Sequence, residues 1–338
     1  MTLRRSFLFL MLILLAAQAS SAELPRYLEI TFLSTNDQHG KVWPFSIPPD
    51  PAKNYAGLKN VGGAARRATI VRQIRAQSAA PVMLVDSGDV RGWTPLSTAF
   101  NGALDFEIMN RLGYEAMAIG NHEFEWLPPD FHRNRRASNF PWICANVVHK
   151  DTGEPLADPY VVRDVGGVRV AFFGLTNDLI DKQPDYYKGM GALGVKWTPY
   201  TDVAAKLVPE MRRKADIVVL LSHLGYREDV KLAQTVPGID IILGGHSHST
   251  ILTPTMVSVA EPTAFYKGKV PVAQAGYHGI YLGKTRAIFR RDPESGRYTL
   301  MSCKGELIPI DSSIPEDPEI DRLIREWEAI RKAREAKK

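Results

Sequence analysis

Ala116-Met117-Ala118-Ile119-Gly120-Asn121-His122-Glu123 reads as a short buried strand that stops at glycine and then presents an amide and an imidazole. Polar groups placed just past a strand end lie at a sheet edge, where open α/β sheets bind ligands. Taken alone, an Asn-His pair in a loop is equally a hydrogen-bonded turn. Four further stretches bear on the choice.

Residues 28–34 form a strand rich in β-branched and aromatic side chains, and it ends in Thr35-Asn36-Asp37-Gln38-His39-Gly40. The Asp-x-His spacing sets Asp37 and His39 on one side of an extended backbone, a chelating geometry that also arises by chance. Residues 81–85 make a second apolar strand running into Asp86-Ser87-Gly88-Asp89, where the glycine lets the backbone approach a ligand. Residues 217–221 deliver Ser222-His223, and residues 239–243 deliver Gly244-Gly245-His246-Ser247-His248. Helical spacing over 62–77, 98–112, 202–214, 227–236 and 318–336 alternates with these strands, which argues for βαβ units and an α/β fold.

Other stretches carry less. Gly166-Gly167 between two apolar runs marks a hairpin, and residues 270–274, 281–289 and 298–301 read as an antiparallel meander. The proline-rich stretch 43–60 reads as an irregular loop. Arg66, Arg67, Arg72 and Arg75 read as a solvated basic helix face, as does the charge run of the last helix. There is no internal repeat.

In a parallel sheet the five strand ends share one edge, so Asp37, His39, Asp89, Asn121, His122, His223, His246 and His248 converge. Several imidazoles and carboxylates in one crevice are expensive to desolvate without a cation. The only cysteines, Cys144 and Cys303, cannot make a structural zinc site, and Cys144 sits in an apolar run as a core thiol. A mixed nitrogen and oxygen donor set suits Mn, Fe, Co, Zn or Ni. So many donors exceed one tetrahedral ion and fit two ions about 3.5–4 Å apart.

The composition of the 338 residues, 45% hydrophobic and 23% charged, is that of a globular protein with one large domain or two small ones. Arg4-Arg5, an apolar run over 7–17 and the small residues Ser20-Ser21-Ala22 have the layout of a secretory leader cleaved after Ala22. That run is shorter than the roughly 20 residues of a membrane span, although an uncleaved anchor is the alternative. A periplasmic or secreted location is expected, with no stable membrane span after cleavage. Loss of the leader removes two arginines and no acid, taking the formal charge from +5 to +3. So small an excess does not argue for a nucleic-acid polymer or a membrane as partner.

The order D-x-H, G-D, G-N-H-E, S-H and G-G-H-x-H resembles the calcineurin-like metallophosphoesterases, specifically the catalytic domain of the 5′-nucleotidase, UDP-sugar hydrolase and cyclic-phosphodiesterase branch. The resemblance runs from about residue 28 to 290 and implies a four-layer α/β/β/α sandwich, two mixed sheets flanked by helices. The expected layout is a leader at 1–22, a catalytic domain at 27–312 and a charged closing helix at 313–338. By the same likeness Asp37, His39, Asp89 and His248 hold one metal; Asp89, Asn121, His223 and His246 hold the other. A hydroxide shared between the ions would attack phosphorus, with phosphate esters, nucleotides foremost, as substrate. His122 matches the histidine that steadies the transferring phosphoryl group, beside Asn121, and Glu125 stands where the family usually has an orienting aspartate. Glu123 is expected to be structural. Full-length nucleotidases of this branch add a C-terminal substrate domain that this chain is expected to lack. Candidates for a replacement rim are Trp43, Arg91, Trp93, Trp126, Tyr277 and His278, each of which could equally be packing or surface. Two other readings stay open: a thiosulfohydrolase, favoured by Ala275-Gly276-Tyr277-His278-Gly279 but not by Asn121-His122, and a non-catalytic metal-binding scaffold.

Overall fold

The computed structural model describes residues 24–49, 57–260 and 268–337; the leader expected at 1–22 lies outside them. The first half of the chain runs β1 (Tyr27–Thr35), β2 (Phe45–Ile47), β3 (Leu58–Val61), α1 (Ala64–Gln77), β4 (Val82–Asp86), α2 (Pro95–Ala99), α3 (Ala103–Leu112), β5 (Ala116–Ala118), α4 (Pro128–Ala137), β6 (Trp142–Ile143) and β7 (Val147–His149). It continues through the hairpin β8 (Tyr160–Val165) and β9 (Val168–Thr176), then α5 (Leu179–Lys182), α6 (Lys188–Ala192), β10 (Val195–Trp197), α7 (Tyr200–Lys214) and β11 (Ile217–His223). The remainder is α8 (Tyr226–Thr235), β12 (Ile241–Gly244), β13 (Thr255–Ser258), β14 (Lys269–Gln274), β15 (Tyr281–Arg291), β16 (Tyr298–Pro309) and α9 (Pro318–Glu335).

Two six-stranded sheets hold most of these strands, in the orders β16-β15-β1-β4-β5-β6 and β13-β14-β12-β11-β9-β8. Both are mixed: β1, β4, β5 and β6 are parallel, as are β9, β11, β12 and β14, while the remaining members pair antiparallel. Successive side chains on a strand face opposite ways. On β1, Phe32 faces the second sheet, where its ring meets Phe172 edge-on at 6.1 Å, and Leu33 faces the helices. Three separate apolar cores result. One lies between the first sheet and α1, α3 and α9, one between the sheets, and one between the second sheet and α7 with α8. Three interlayer spaces make four layers, the expected α/β/β/α sandwich.

Several local expectations need correction. The convergent strand ends do not share one parallel sheet: β1, β4 and β5 belong to the first, β11 and β12 to the second. The meander is likewise divided, since β14 lies beside β12 and only β15 and β16 form a hairpin. The helix read over 98–112 is two helices. Pro95 starts the first, capped by the Thr94 hydroxyl accepting from the Ser97 amide, and Asn101 and Gly102 take left-handed backbone that breaks it. The stretch 43–60 contains the small β2–β3 ladder.

The basic face of α1 is solvated only in part, since Arg72 is exposed but other arginines are not. Arg66 and Arg67 are buried, Arg66 donating to the Asn60 carbonyl at 2.8 Å. Arg72 pairs with Asp317 and Glu319, while Arg75 donates to the carbonyls of Leu112 and Gly113. A guanidinium on the last carbonyls of α3 satisfies groups that the helix leaves unpaired. Asp317 in turn caps α9 through the amides of Glu319 and Ile320. Charge therefore docks α1, α3 and α9 onto one another over the buried Ile320 and Ile324. Cys144 and Cys303 are both free thiols. Among the described residues no helix is long and apolar enough to cross a membrane.

Candidate metal centre

Each site residue follows a buried strand, and because the sheets are stacked their carboxyl ends face a common crevice. Asp37 and His39 follow β1, Asp89 follows β4 and Asn121 follows β5; His223 ends β11, and His246 with His248 follows β12. The backbone there is forced into an uncommon shape. Of eight described non-glycine residues with positive φ, six are Asp37, His39, Asp89, His246, His248 and His278. Left-handed backbone costs on the order of 1–3 kcal/mol per residue, and clustered strain of this kind belongs to functional sites. Glycine serves the same end at Gly120, where a Cβ would lie 2.2 Å from Asp89 Oδ1.

Three overlapping groups of donor atoms can each close on an ion: Asp37, His39 and His248; His39, Asp89 and His122; Asp89, His223 and His246. His248 Nε2 is 3.3 Å from Asp37 Oδ1, and His39 Nε2 is 3.9 Å from the same oxygen and 4.0 Å from Asp89 Oδ2. His223 Nε2 is 3.0 Å from Asp89 Oδ2. Asn121 joins the third group through Asn177, whose amide donates to Asn121 Oδ1 at 2.7 Å and to the His223 carbonyl at 3.1 Å, and lies 3.3 Å from His246 Nδ1.

In two of these candidate ligands the outer ring nitrogen is already held, which leaves the inner one free. His223 Nδ1 is 2.6 Å from the Ser87 carbonyl, which makes it the donor and turns the Nε2 lone pair inward. His39 Nδ1 is 3.1 Å from the Arg91 carbonyl, with the same consequence. His223 Nε2 is buried and, despite its closeness to Asp89, is not aligned for a hydrogen bond. The same crowding appears where His39 Nε2 and His248 Nε2 lie 3.2 Å apart.

Electrostatics points the same way. Burial alone would raise the Asp89 carboxyl, but the neighbouring His223, His122 and His39 imidazoles outweigh it and hold the group well below the usual carboxylate range. Burial would lower His223, yet Asp89 pushes it up to about 10. A divalent ion among these donors would replace the imidazole proton as the counter-charge of Asp89. The donor set, oxygen and imidazole nitrogen with no thiolate, fits Mn, Fe, Co, Zn or Ni.

Glu123 is fully buried and accepts from four backbone amides, those of Asp89, Val90, Arg91 and Gly120, at 2.8–3.1 Å. It ties the β4 and β5 loops together. His122 stands at the mouth with Nε2 3.7 Å from Asp89 Oδ2 and Nδ1 bonded to Glu125. The second Glu125 oxygen is in contact with the Arg91 guanidinium. Burial lowers His122 to about 4, Asp89 opposing.

Of the rim candidates, Tyr277 stacks on His248 at 5.0 Å, His278 meets His39 at 5.5 Å, and Trp93 stacks on His39 at 5.8 Å. Two others sit elsewhere. Trp126 is buried against Phe106 and Trp142, and Trp43 packs on the first core beneath Arg325. Sequence reading missed Asn177, Tyr186 and Tyr187. Asn177 had a signal, since it too follows an apolar strand, the one that ends at Thr176.

Comparison with known proteins accords with this geometry. Bovine 5′-nucleotidase is 34% identical over 319 residues, covering 88% of this chain and 52% of the bovine one, so the chain spans about half the length of such curated relatives. The structure of a 5′-nucleotidase precursor from Thermus thermophilus superposes with a TM-score of 0.75 at 29% identity, covering 90% of this chain and 59% of that one. The sulfate thiohydrolase SoxB of the same organism shares the fold, with a TM-score of 0.74, over 91% of this chain and 61% of its own, at 19% identity. Residues 30–250 match the calcineurin-like phosphoesterase family across the stretch that supplies every member of the donor cluster. The chain therefore belongs to the calcineurin-like phosphoesterases, as a metallophosphoesterase related to the 5′-nucleotidases.

Proposed function

We propose that this chain is an exported hydrolase of phosphate esters, nucleotides foremost, that works with two divalent cations. Asp37, His39, Asp89 and His248 hold one ion, while Asp89, Asn121, His223 and His246 hold the other. The observation that carries this is the convergence of three donor groups through shared Asp89 and His39. Two such cations supply an acidified water and neutralise charge on the phosphoryl oxygens.

The chain's own side chains do the rest. Glu125 accepts from His122 Nδ1, so Nε2 faces the metal side, where the protonated imidazole would donate to the departing ester oxygen. Arg91 fixes the far end of Glu125, which offsets the longer reach of a glutamate where the family has an aspartate. Glu123 keeps Asp89 in its left-handed conformation. Nucleotides are favoured because the bovine and Thermus relatives are 5′-nucleotidases. Export rests on the leader-like residues 1–22, cleaved after Ala22, with residues 27–312 as the catalytic unit and 313–338 as its closing helix.

Metal-stripped protein reloaded with Mn²⁺, Co²⁺ or Zn²⁺ is expected to release phosphate from nucleoside 5′-monophosphates. Failure to hydrolyse these and bis-p-nitrophenyl phosphate in every metal-loaded form contradicts the proposal.

A further inference from the structure

Singly exposed apolar side chains are ordinary, but two exposed aromatic rings against one site histidine are not. Among the described residues eight large apolar side chains are exposed, and two of them, Trp93 at 54% and Tyr186 at 50%, abut the same catalytic imidazole. Trp93 meets the His122 ring edge-on at 4.7 Å and Tyr186 meets it edge-on at 6.3 Å.

Trp93 is a fixed platform rather than a loose side chain. Its indole stacks on His39, with planes 15° apart. The next residue, Thr94, donates to the Gly40 carbonyl at 2.8 Å and caps α2. The Arg91 amide is anchored on Glu123. With one indole face on His39, the exposure of Trp93 belongs to the other face. Trp93 also lines a cavity of about 640 Å³ with Pro95, Thr98, Arg331 and Arg334. Tyr186 sits in the turn closed by its amide on the Gln183 carbonyl at 3.1 Å, and its ring packs edge-on against buried Tyr187. Tyr187 accepts from Asn121, so this wall too is anchored to the metal-side cluster.

Resting on the phosphoesterase reading above, we infer that Trp93 and Tyr186 form a leaving-group subsite that accepts an aromatic ring, a nucleobase, beside His122. With His122 serving the departing ester oxygen, the group attached to that oxygen leaves on the side where both exposed rings flank this imidazole. A base stacked on the open indole face is bound without sequence-type hydrogen bonding, so the subsite selects for an aromatic leaving group and tolerates purines and pyrimidines alike.

The test compares a nucleoside 5′-monophosphate with ribose 5-phosphate, which has the same reacting alcohol and no base. With metal-loaded protein, kcat/KM is expected to favour the nucleotide by about 5- to 150-fold, the worth of one base–aromatic stack. Trp93→Ala and Tyr186→Ala should each lower that ratio, through KM, and Trp93→Phe should restore most of it. Metal content is measured alongside, since Trp93 touches His39 while Tyr186 touches none of the proposed ligands. A ratio unchanged in both alanine variants, or an equal loss on both substrates, overturns the subsite and leaves the phosphoesterase standing. Absence of hydrolysis of either substrate by the wild-type protein overturns both.

Discussion

Replacing Glu123 by glutamine changes one atom and tests whether the Asp89 loop is held as described. Glu123 Oε1 accepts from the amides of Val90 and Arg91 at 3.0 and 3.1 Å, and Oε2 from those of Asp89 and Gly120 at 3.0 and 2.8 Å. A glutamine accepts at one oxygen only. Whichever way its amide turns, two buried N–H groups then face an NH₂. Each buried donor left unpaired costs about 1–3 kcal/mol, so the substitution should cost about 4 kcal/mol. At about 2.1 cal/mol/K per residue over roughly 300 residues, that lowers the Tm by about 6 °C. Because Asp89 needs these bonds to stay at a φ of 59°, bound metal should fall as well. Thermal unfolding and metal analysis of Glu123→Gln beside the wild type read both effects. A variant with wild-type Tm and full metal content refutes the reasoning, because the carboxylate would then not be what fixes the loop.

Three further outcomes follow from other contacts. Gly120→Ala places a Cβ 2.2 Å from Asp89 Oδ1 and 2.4 Å from its amide nitrogen, so it should fold but lose most of its metal; full metal retention would contradict the packing. Arg91→Ala frees the far oxygen of Glu125 and should lower kcat by about 10- to 100-fold with metal content kept, while Arg91→Lys recovers part of the rate. Burial pushes the Asp105 carboxyl, bonded to Ser97, up to about 7 against about 3.9 in the unfolded chain. Between those values the unfolded chain has lost the proton and the folded one keeps it, so stability is fully present below about pH 4, falls as pH rises to about 7, and stays low above. Asp105→Asn should flatten that decline, worth on the order of 4 kcal/mol, in metal-free protein; parallel Tm–pH curves for the two would exclude Asp105 as its source.

The strand ends were legible because two signals coincide there: an apolar run stops, and Asp, Asn or His follows within a few residues. Which sheet each strand joins was not. An apolar run buried on both faces looks the same in either sheet, so β5 and β11 give no hint that they lie in different layers. The arginines of α1 misled for a related reason. Spacing shows that Arg67 and Arg72 share a helix with apolar residues, but only the docking of α9 reveals that Asp317 and Glu319 meet Arg72. Aromatic rim residues carry no periodic signal at all. Trp93 and Trp126 both stand near the site motifs in sequence, yet one is exposed against His122 and the other is buried against Phe106. Tyr186 lies some sixty residues beyond His122 and reaches it only because the turn after α5 folds back, its neighbour Tyr187 bonding to Asn121.

Anomalous diffraction from crystals of the manganese-loaded protein tests the central claim most directly. Two peaks about 3.5–4 Å apart are predicted, with Asp89 between them, His39 and His248 at one, and His223 and His246 at the other. A single peak, or peaks away from Asp89, would contradict a two-metal phosphoesterase built on these strand ends.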